Sequence, residues 1–355
     1  MSDADRRLRT LVADDSPTAR QLIAAILDGD SGIRVVGQAR DGVEAVALAA
    51  KLRPDVIVMD VAMPGMDGME ATRRIMAETP TPIVLVTAGY EPADVNRSFK
   101  ALEAGALQLL AKPRGPGTAG FADDVATLVA TTKLMAEVRL VRRMRPAPAA
   151  PPPSASQRPD RHPEIVAIAS STGGPAALAT ILSSLPLDMP QPVLVVQHIT
   201  PGFHQGLAAW LDRVSPLSVT LARDGQPLQG GEVLIAPPDS HLGVRPGNRV
   251  ALSPDPPIGG HRPSATHLFR TVAEVFGSAG LGVMLTGMGD DGVAGLRVLK
   301  SARGLVLAQD EATSVVYGMP REAAAGGLVD QVVPLDRMAA AITTACRNGH
   351  NRRTP

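Results

Sequence analysis

Leu11-Val12-Ala13-Asp14-Asp15 decides the fold of the first third of the chain, because it reads as a buried strand that ends in two carboxylates. Three further apolar segments also end in polar side chains, at Asp60, at Thr87 and at Lys112. Helical patterns separate the segments, and short apolar strands that alternate with helices predict a parallel sheet covered on both faces. The polar side chains should then lie together, because the carboxyl ends of parallel strands form one ligand crevice.

This predicted crevice has the residue types of a site that binds a metal and accepts a phosphoryl group. Crowded carboxylates repel one another unless a cation lies among them, and hard oxygen ligands suit Mg²⁺. A hydroxyl and an ammonium beside one aspartate can hold the phosphoryl group that the carboxylate accepts. The residues of the expected site are Asp14, Asp15, Asp60, Thr87 and Lys112.

Four motifs in this region resemble the receiver domain of two-component response regulators. They occupy residues 12–16, 59–68, 86–88 and 111–113, in the order in which that family has them. The resemblance implies that Asp60 is phosphorylated and that a sensor histidine kinase is the phosphodonor. It also implies an Mg²⁺ ion, whose ligands would be Asp14, Asp15, Asp60 and the carbonyl of Ala62.

The same resemblance implies that Thr87 and Lys112 contact the phosphoryl group. One position departs from the receiver pattern, since Leu109 stands where the aromatic switch residue usually lies. Signalling through the rotamer of an aromatic ring is therefore not expected.

Composition limits the functions open to the whole chain. Its 355 residues suggest two domains, and a hydrophobic content of 45% suffices for two cores. The 35 Lys and Arg residues balance 35 Asp and Glu residues, whereas a nucleic-acid-binding protein normally carries a basic excess. With Cys346 as the one cysteine, an internal disulfide is excluded and a cytoplasmic location fits. The charged start and the lack of a long apolar run predict neither secretion nor direct membrane insertion.

A proline-rich segment separates two α/β regions. Residues 145–163 contain seven prolines among Ala and Ser, which cannot form a helix and have little to bury. We predict a receiver domain over 8–135, a Pro/Ala-rich linker over 136–163 and a second α/β domain over 164–350. The linker could be a mere tether or could have a signalling role. We also predict that the helix from about 119 continues to 144, and that 217–252 form a β-rich insertion.

Three polar residues follow predicted strands of the second domain and could form a catalytic triad. Ser171, His198 and Asp291 each come just after an apolar segment. A serine becomes a nucleophile only with a base in reach that a carboxylate orients. Pro175 is well placed to begin a helix whose free N–H groups could stabilise an oxyanion. Each signal is weak alone, because a Ser-Thr-Gly-Gly turn, a single histidine and an Asp-Gly pair are also common structural features.

Six motifs of the second domain resemble the catalytic domain of chemotaxis protein-glutamate methylesterases. They occupy residues 169–175, 197–198, 235–237, 262–264, 285–292 and 317–320. The resemblance implies Ser171 as nucleophile, His198 as general base and then acid, and Asp291 as the residue that orients His198. Asp290 would lie in a variable position.

The backbone N–H of Met288 would then help to form the oxyanion hole, with Thr172 as a supporting residue. Thr266 and His267 stand where the family leads us to expect an acidic and an apolar residue. We therefore expect these two positions to influence which substrate is accepted. The remaining histidines of this region, His241 and His261, are interpreted as exposed or structural residues in loops.

Together the two resemblances imply a fold and a function. The fold is two doubly wound parallel-sheet α/β domains, a flavodoxin-like receiver followed by a Rossmann-like catalytic domain. The function is a phosphorylation-regulated hydrolase that removes methyl groups from glutamate γ-methyl esters of chemoreceptors, with no metal at its triad. The same chemistry could deamidate glutamines. A phospho-regulated docking protein with an inactive hydrolase domain, or a substrate outside chemotaxis, is the alternative. Neutral charge argues against a DNA-binding response regulator.

Overall fold

The computed structural model describes residues 7–88, 98–102, 104–138, 162–200 and 202–347. The chain divides into two compact units, Met1–Val141 and Arg142–Pro355. Most of the predicted linker lies outside the described residues. Among the described residues, no helix combines the length and the apolarity needed to cross a bilayer.

The first unit contains a five-stranded parallel sheet with the strand order β2-β1-β3-β4-β5. The strands β3 and β4 are buried along their whole length, as expected for a sheet with helices on both faces. The doubly wound fold predicted from the sequence is confirmed. The strands are β1 (Leu8–Ala13), β2 (Ile33–Ala39), β3 (Val56–Asp60), β4 (Ile83–Thr87) and β5 (Gln108–Ala111).

Side-chain caps begin the first three helices of this unit. Ser16, Asp41 and Asp67 each accept a hydrogen bond from a backbone N–H of the first turn. Gly68 follows Asp67, and a Cβ atom there would lie 2.3 Å from the Asp60 carbonyl oxygen, so only glycine lets this helix start against the end of β3. The helices are Pro17–Asp28, Gly42–Leu52, Gly68–Glu78 and Phe121–Ala136, and residues 98–102 are also helical.

The last helix of the unit is shorter than predicted. It begins at Phe121 and ends at Ala136, whereas the sequence suggested a helix from 119 to 144. Glu137 N–H bonds to the carbonyl of Leu134, three residues back, and this tighter turn closes the helix. Residues 139–144 lie outside the described residues, as do 92–97 and Glu103 of a helix predicted over 92–104.

The second unit contains a seven-stranded sheet with the order β14-β13-β12-β6-β7-β9-β8, and every strand pair in it is parallel. The strand order reverses at β6, which lies between β12 and β7. Ligand crevices of open α/β sheets form at such a switch point. The strands are β6 (Ile165–Ser170), β7 (Val193–Gln197), β8 (Ser218–Leu221), β9 (Glu232–Ile235), β12 (Gly280–Met284), β13 (Leu305–Gln309) and β14 (Gln331–Val333).

The predicted β-rich insertion over 217–252 was wrong in its extent. The strands β8 and β9 belong to the main parallel sheet, and only the antiparallel hairpin of β10 (His241–Arg245) and β11 (Arg249–Ser253) stands outside it. The sequence analysis also missed β2, β14 and the helix Met319–Ala325. The helices of this unit are Gly174–Leu182, His204–Val214, Ala265–Phe276, Val293–Ser301, Met319–Ala325 and Leu335–Arg347.

Candidate functional site

An acidic crevice lies at the carboxyl ends of the first sheet. One carboxylate oxygen from each of Asp14, Asp15 and Asp60 lies within 4.8 Å of the others. Lys112 reaches into this cluster, with its Nζ atom 2.7 Å from Asp14 Oδ2 and 2.8 Å from Asp60 Oδ2. The structure thus brings together the carboxylates and the ammonium that the sequence predicted to be neighbours.

Burial and the lysine act in opposite directions on Asp60. Burial raises the pKa of this carboxyl above its ordinary value, although the hydrogen bond from Lys112 and the backbone N–H of Ala62 oppose the change. Burial would lower the pKa of Lys112, but its bonds to Asp14 and Asp60 outweigh burial and raise it. The lysine is therefore a firmly protonated cation beside a buried carboxylate.

The remaining residues of the predicted crevice border this cluster. Thr87 ends β4 and is buried, and its carbonyl accepts a hydrogen bond from the backbone N–H of Lys112. Leu109 is buried in β5 and pairs with Leu85 of β4. Its side chain is part of the core.

A second site lies at the switch point of the second sheet. Ser170 pairs with Gln197 across β6 and β7, so the next residues, Ser171 and His198, emerge side by side where both strands end. The Nε2 atom of His198 lies 2.9 Å from Asp291 Oδ2. The three residues that the sequence singled out for a triad are thus gathered at one edge of the sheet.

Asp291 is held by four hydrogen-bond donors. Besides His198 Nε2, Ser264 Oγ donates at 2.7 Å, and the backbone N–H groups of Ala265 and Thr266 donate at 2.7 and 3.1 Å. Burial alone would raise the pKa of Asp291, but the bonds from His198 and Ser264 outweigh it and hold the pKa well below its ordinary value. Asp290, by contrast, is exposed. Asp291 is therefore a fixed anion at the N-terminus of the helix Ala265–Phe276.

The tautomer of His198 follows from this geometry. An ionised carboxylate can only accept, so Nε2 carries the hydrogen and Nδ1 keeps its lone pair. Nδ1 is buried and has no hydrogen-bond partner among the described residues. It is the nitrogen that is free to take a proton.

Two buried side chains fix the strand ends that carry Ser171 and His198. Gln197 accepts a hydrogen bond from Ser170 Oγ at 2.6 Å, and its Nε2 donates to the carbonyls of Ser171 and His198, each at 2.8 Å. The hydroxyl of Thr286 donates to the Thr172 carbonyl at 2.9 Å, and the backbone carbonyl of Thr286 accepts from the Ser171 backbone N–H at 3.0 Å. Sequence analysis had quoted Gln197 and Thr286 only as parts of motifs.

Two backbone N–H groups near Ser171 lack acceptors. Neither Thr172 N–H nor Met288 N–H donates to another group of the described residues. Gly287 lies against Ser171, because a Cβ atom at Gly287 would approach the Ser171 Cβ to 2.8 Å. The Gly287 carbonyl is fixed by the N–H groups of Gly318 and Met319, at 3.0 and 2.9 Å. The side chain of Met288 is 55% exposed.

One of the two remaining histidines lies against the candidate triad. The ring of His261 stacks on that of His198, with centroids 4.1 Å apart and planes 6° from parallel, so His261 is half-buried rather than exposed. His241 begins β10 and is fully buried. Its Nδ1 accepts from the Ser264 backbone N–H at 3.2 Å, which is a structural role. The position of His261 just before residues 262–264 was the available signal, because Ser264 bonds to Asp291.

Thr266 and His267 make contacts inside the second unit. Thr266 is buried, its hydroxyl accepts from Gly292 N–H at 2.9 Å, and its own N–H donates to Asp291. His267 stacks on His241 with centroids 5.0 Å apart. An effect of these two residues on substrate choice stays a prediction.

Comparisons with known proteins give one family match within each of the two units. A family model described as CheB methylesterase matches residues 166–342, and one described as response regulator receiver domain matches residues 10–118. The crystal structure of the Thermotoga maritima CheB methylesterase catalytic domain is similar with a TM-score of 0.50 and 39% sequence identity. It covers 51% of this chain and 98% of that chain.

Two curated relatives match nearly the whole chain. Protein-glutamate methylesterase/protein-glutamine glutaminase 4 of Myxococcus xanthus is 53% identical over 96% of this chain and 97% of its own length. Protein-glutamate methylesterase/protein-glutamine glutaminase 3 of Anaeromyxobacter dehalogenans is 53% identical over 94% of this chain and 97% of its own length.

Proposed function

The chain belongs to the protein-glutamate methylesterase/protein-glutamine glutaminase family, and from that premise we propose how its two sites work. It is a hydrolase that demethylates glutamate γ-methyl esters on chemoreceptors, and phosphorylation of its receiver domain regulates it. The observation that carries the catalytic assignment is the His198–Asp291 pair at 2.9 Å beside Ser171, at the switch point of the second sheet.

Ester hydrolysis begins with attack by the Ser171 hydroxyl oxygen on the γ-carbonyl carbon of the methylated glutamate. His198 takes the hydroxyl proton on Nδ1, the nitrogen that has no other partner. Asp291 accepts the Nε2 hydrogen bond, fixes this tautomer and stabilises the imidazolium that forms. The proton then passes from Nδ1 to the departing methoxide, and methanol leaves.

The negative charge of the tetrahedral intermediate needs donors that are already in place. The N–H groups of Thr172 and Met288 have this role in our proposal. Thr172 follows Ser171 in the chain, Met288 follows Gly287, which lies against Ser171, and neither N–H has an acceptor in the described part of the chain. Water then attacks the acyl-serine with His198 again as the base, the bond from the acyl carbon to Ser171 Oγ breaks, and His198 returns the proton to that oxygen as the glutamate side chain leaves. A glutamine amide can follow the same route with ammonia as the leaving group, which is the second activity named in the relatives.

The acidic crevice has the donors that Mg²⁺ prefers, since three carboxylate oxygens lie within 4.8 Å of one another and Lys112 balances only part of their charge. Asp14, Asp15, Asp60 and the carbonyl of Ala62 would hold the ion. When bound, it would neutralise charge on a phosphodonor and on the acceptor. An Asp60 carboxylate oxygen attacks the phosphorus of the donor, the bond from phosphorus to the donor's histidine nitrogen breaks, and that nitrogen keeps the electron pair. Lys112 and Thr87 contact the transferred group. A sensor histidine kinase is the proposed donor.

Methanol release from methylated chemoreceptors tests the catalytic proposal. Ser171→Ala should lower kcat by about 10⁴-fold while leaving the protein folded. Ser170→Ala is the matched comparison, because Ser170 is the adjacent serine but is fully buried and bonded to Gln197. It should lose far less activity. If Ser170→Ala is the more damaging change, the nucleophile is misassigned.

A docking protein with an inactive hydrolase domain is not favoured, because the relatives are named as enzymes over nearly their whole length. Binding assays separate the two functions. A docking protein would release no methanol above the background of Ser171→Ala, yet would still bind methylated receptor.

A further inference from the structure

The ring of His198 makes one hydrogen bond, and another histidine covers one of its faces. The bond is Nε2 to Asp291 at 2.9 Å, and the cover is His261, whose ring lies parallel to it at a centroid distance of 4.1 Å. A single bond at the ring edge leaves the ring free to tilt about that contact. Nδ1 adds no restraint, because it has no partner among the described residues.

The conformation of the loop that carries His261 does not depend on the His261 side chain. Ile258 and His261 exchange two backbone hydrogen bonds of 3.1 and 3.0 Å, and Gly259 and Gly260 provide the positive φ angles of 59° and 86° that this turn needs. The neighbouring Arg262 then ties the loop down through Nη1, which donates to the carbonyls of Pro254 and Asp255 at 3.1 and 3.2 Å. The imidazole of His261 is therefore a separable part of the loop.

We propose that His261 is a positioning residue for the hydrolysis, which holds the His198 ring in the plane of Asp291 and stabilises the imidazolium through its uncharged π-face. This inference rests on the proposed function, since it assumes that His198 is the base. An aromatic face attracts a cation that lies above it, and the attraction grows when water is excluded. The stack would thus favour the state in which His198 has taken the serine proton.

The role requires that His261 stay neutral while His198 becomes charged. Burial, and secondarily the nearby His198, lower the pKa of His261, while the carboxylates of Asp291 and Asp290 oppose this. The guanidinium of Arg262, on the same loop, bonds to backbone carbonyls and approaches Asp239 at 4.0 Å. At neutral pH the second ring is therefore uncharged, and no like charge opposes the imidazolium.

The test compares two substitutions of His261 in the full chain by methanol release. His261→Ala removes the ring, and we expect kcat to fall by on the order of 10- to 30-fold while KM changes less than about twofold. His261→Phe keeps a flat aromatic face without a titratable group and should restore kcat to within about threefold of the unmodified protein. His162→Ala is the control, because it removes an exposed histidine of the same unit that has no place in the site.

Two results would overturn the proposal: kcat of His261→Ala equal to that of His162→Ala, or His261→Phe as damaged as His261→Ala. Relaxation of ¹³C in the His198 ring gives a readout that does not depend on activity. The ring should become more mobile in His261→Ala and stay ordered in His261→Phe, and unchanged mobility in both would also reject the role. If instead Ser171→Ala retains activity, the proposed function fails, whatever His261 does.

Discussion

Asp60 and Asp291 are both buried carboxylates at the edge of a parallel sheet, yet their pKa values move in opposite directions. Burial raises the pKa of Asp60 because only Lys112 and one backbone N–H from Ala62 oppose it. Asp291 meets the same desolvation, but four donors surround it and lower its pKa. The number of donors, together with the carboxylate of Asp14 beside Asp60, accounts for the difference.

The difference matches what each carboxylate is proposed to do. A group that attacks phosphorus must keep a lone pair available, so a sparsely bonded oxygen suits Asp60. A group that orients a histidine must not move or take up a proton, so an anion saturated with hydrogen bonds suits Asp291. Substitutions at and around these two carboxylates test this difference.

Asp291→Asn should have the largest effect. An amide has one accepting oxygen where the carboxylate has two, so it cannot accept from both His198 Nε2–H and the backbone N–H groups. The tautomer of His198 with its hydrogen on Nδ1 then becomes populated, and kcat should fall by about 10⁴-fold. Asp290→Asn changes the adjacent exposed carboxylate and should have little effect on kcat. Methanol release measures both. A greater loss for Asp290→Asn would show that the orienting carboxylate is the exposed one.

Lys112→Met should slow phosphorylation of Asp60 by about 10²-fold or more. It removes the cation at 2.8 Å from Asp60 Oδ2, so the pKa of the carboxyl should rise further and the transferred group should lose a contact. Intact-mass analysis after incubation with a small phosphodonor and Mg²⁺ measures the rate. Lys51→Met, an exposed lysine on a helix, is the control, and Asp60→Asn should show no labelling. Labelling of Lys112→Met at the unmodified rate would contradict the proposed contact.

His204 is the limiting case of burial without partners. Both ring nitrogens are buried and have no hydrogen bond among the described residues, and burial lowers the pKa to about 4. The unfolded chain takes up a proton near pH 6.5, so the folded state should lose up to about 3 kcal/mol as pH falls from 6.5 through 4.

His204→Leu should remove this dependence on pH. Urea unfolding at several pH values should show that the variant gains stability over the unmodified protein as the pH falls from 7.5 to about 4.5. His162→Leu, which replaces an exposed histidine, is the control and should show no such gain. A pH-independent difference for His204→Leu would mean that the buried imidazole is hydrated in solution.

Much of the fold and of the proposed sites could be predicted from local sequence, because strand ends at a parallel sheet edge converge whatever the loops do. Ser171, His198 and Asp291 follow apolar strands, and the structure gathers them. The role of His261 could not be predicted in this way. The His261 ring contacts His198 from a loop outside the sheet. The backbone hydrogen bonds of that turn do not determine the direction of the ring.

The donors around Asp291 escaped prediction for a related reason. Two of them are backbone N–H groups, of Ala265 and Thr266, and a backbone group carries no residue-type signal. The residue type of Thr266 suggested an effect on substrate choice and gave no sign that its backbone N–H donates to Asp291. The β-rich insertion was overextended because short strands such as β8, with alternating burial, look alike in a parallel sheet and in a hairpin.

Ser264→Ala should have the smallest effect and sharpens the comparison most. It removes one of the four donors to Asp291 and the N-cap of the helix Ala265–Phe276, since Ser264 Oγ also accepts from Thr266 N–H at 3.1 Å. We expect kcat to fall about tenfold and the free energy of unfolding to fall by about 1 kcal/mol. Asp41→Ala removes the cap of a receiver helix and should cost similar stability with no loss of kcat.

The pH dependence separates the two roles of this serine. A lowered pKa of Asp291 contributes stability that is present above about pH 4 and is lost as the pH falls below it, so Ser264→Ala should unfold at a higher pH than the unmodified protein on acid titration. Asp41→Ala should not lower kcat. An unchanged kcat for Ser264→Ala would mean that His198 and the two backbone N–H groups suffice to hold the anion. The number of donors would then matter less for holding Asp291 than its place at the helix N-terminus. The difference between Asp291 and Asp60 would then come from backbone N–H groups alone.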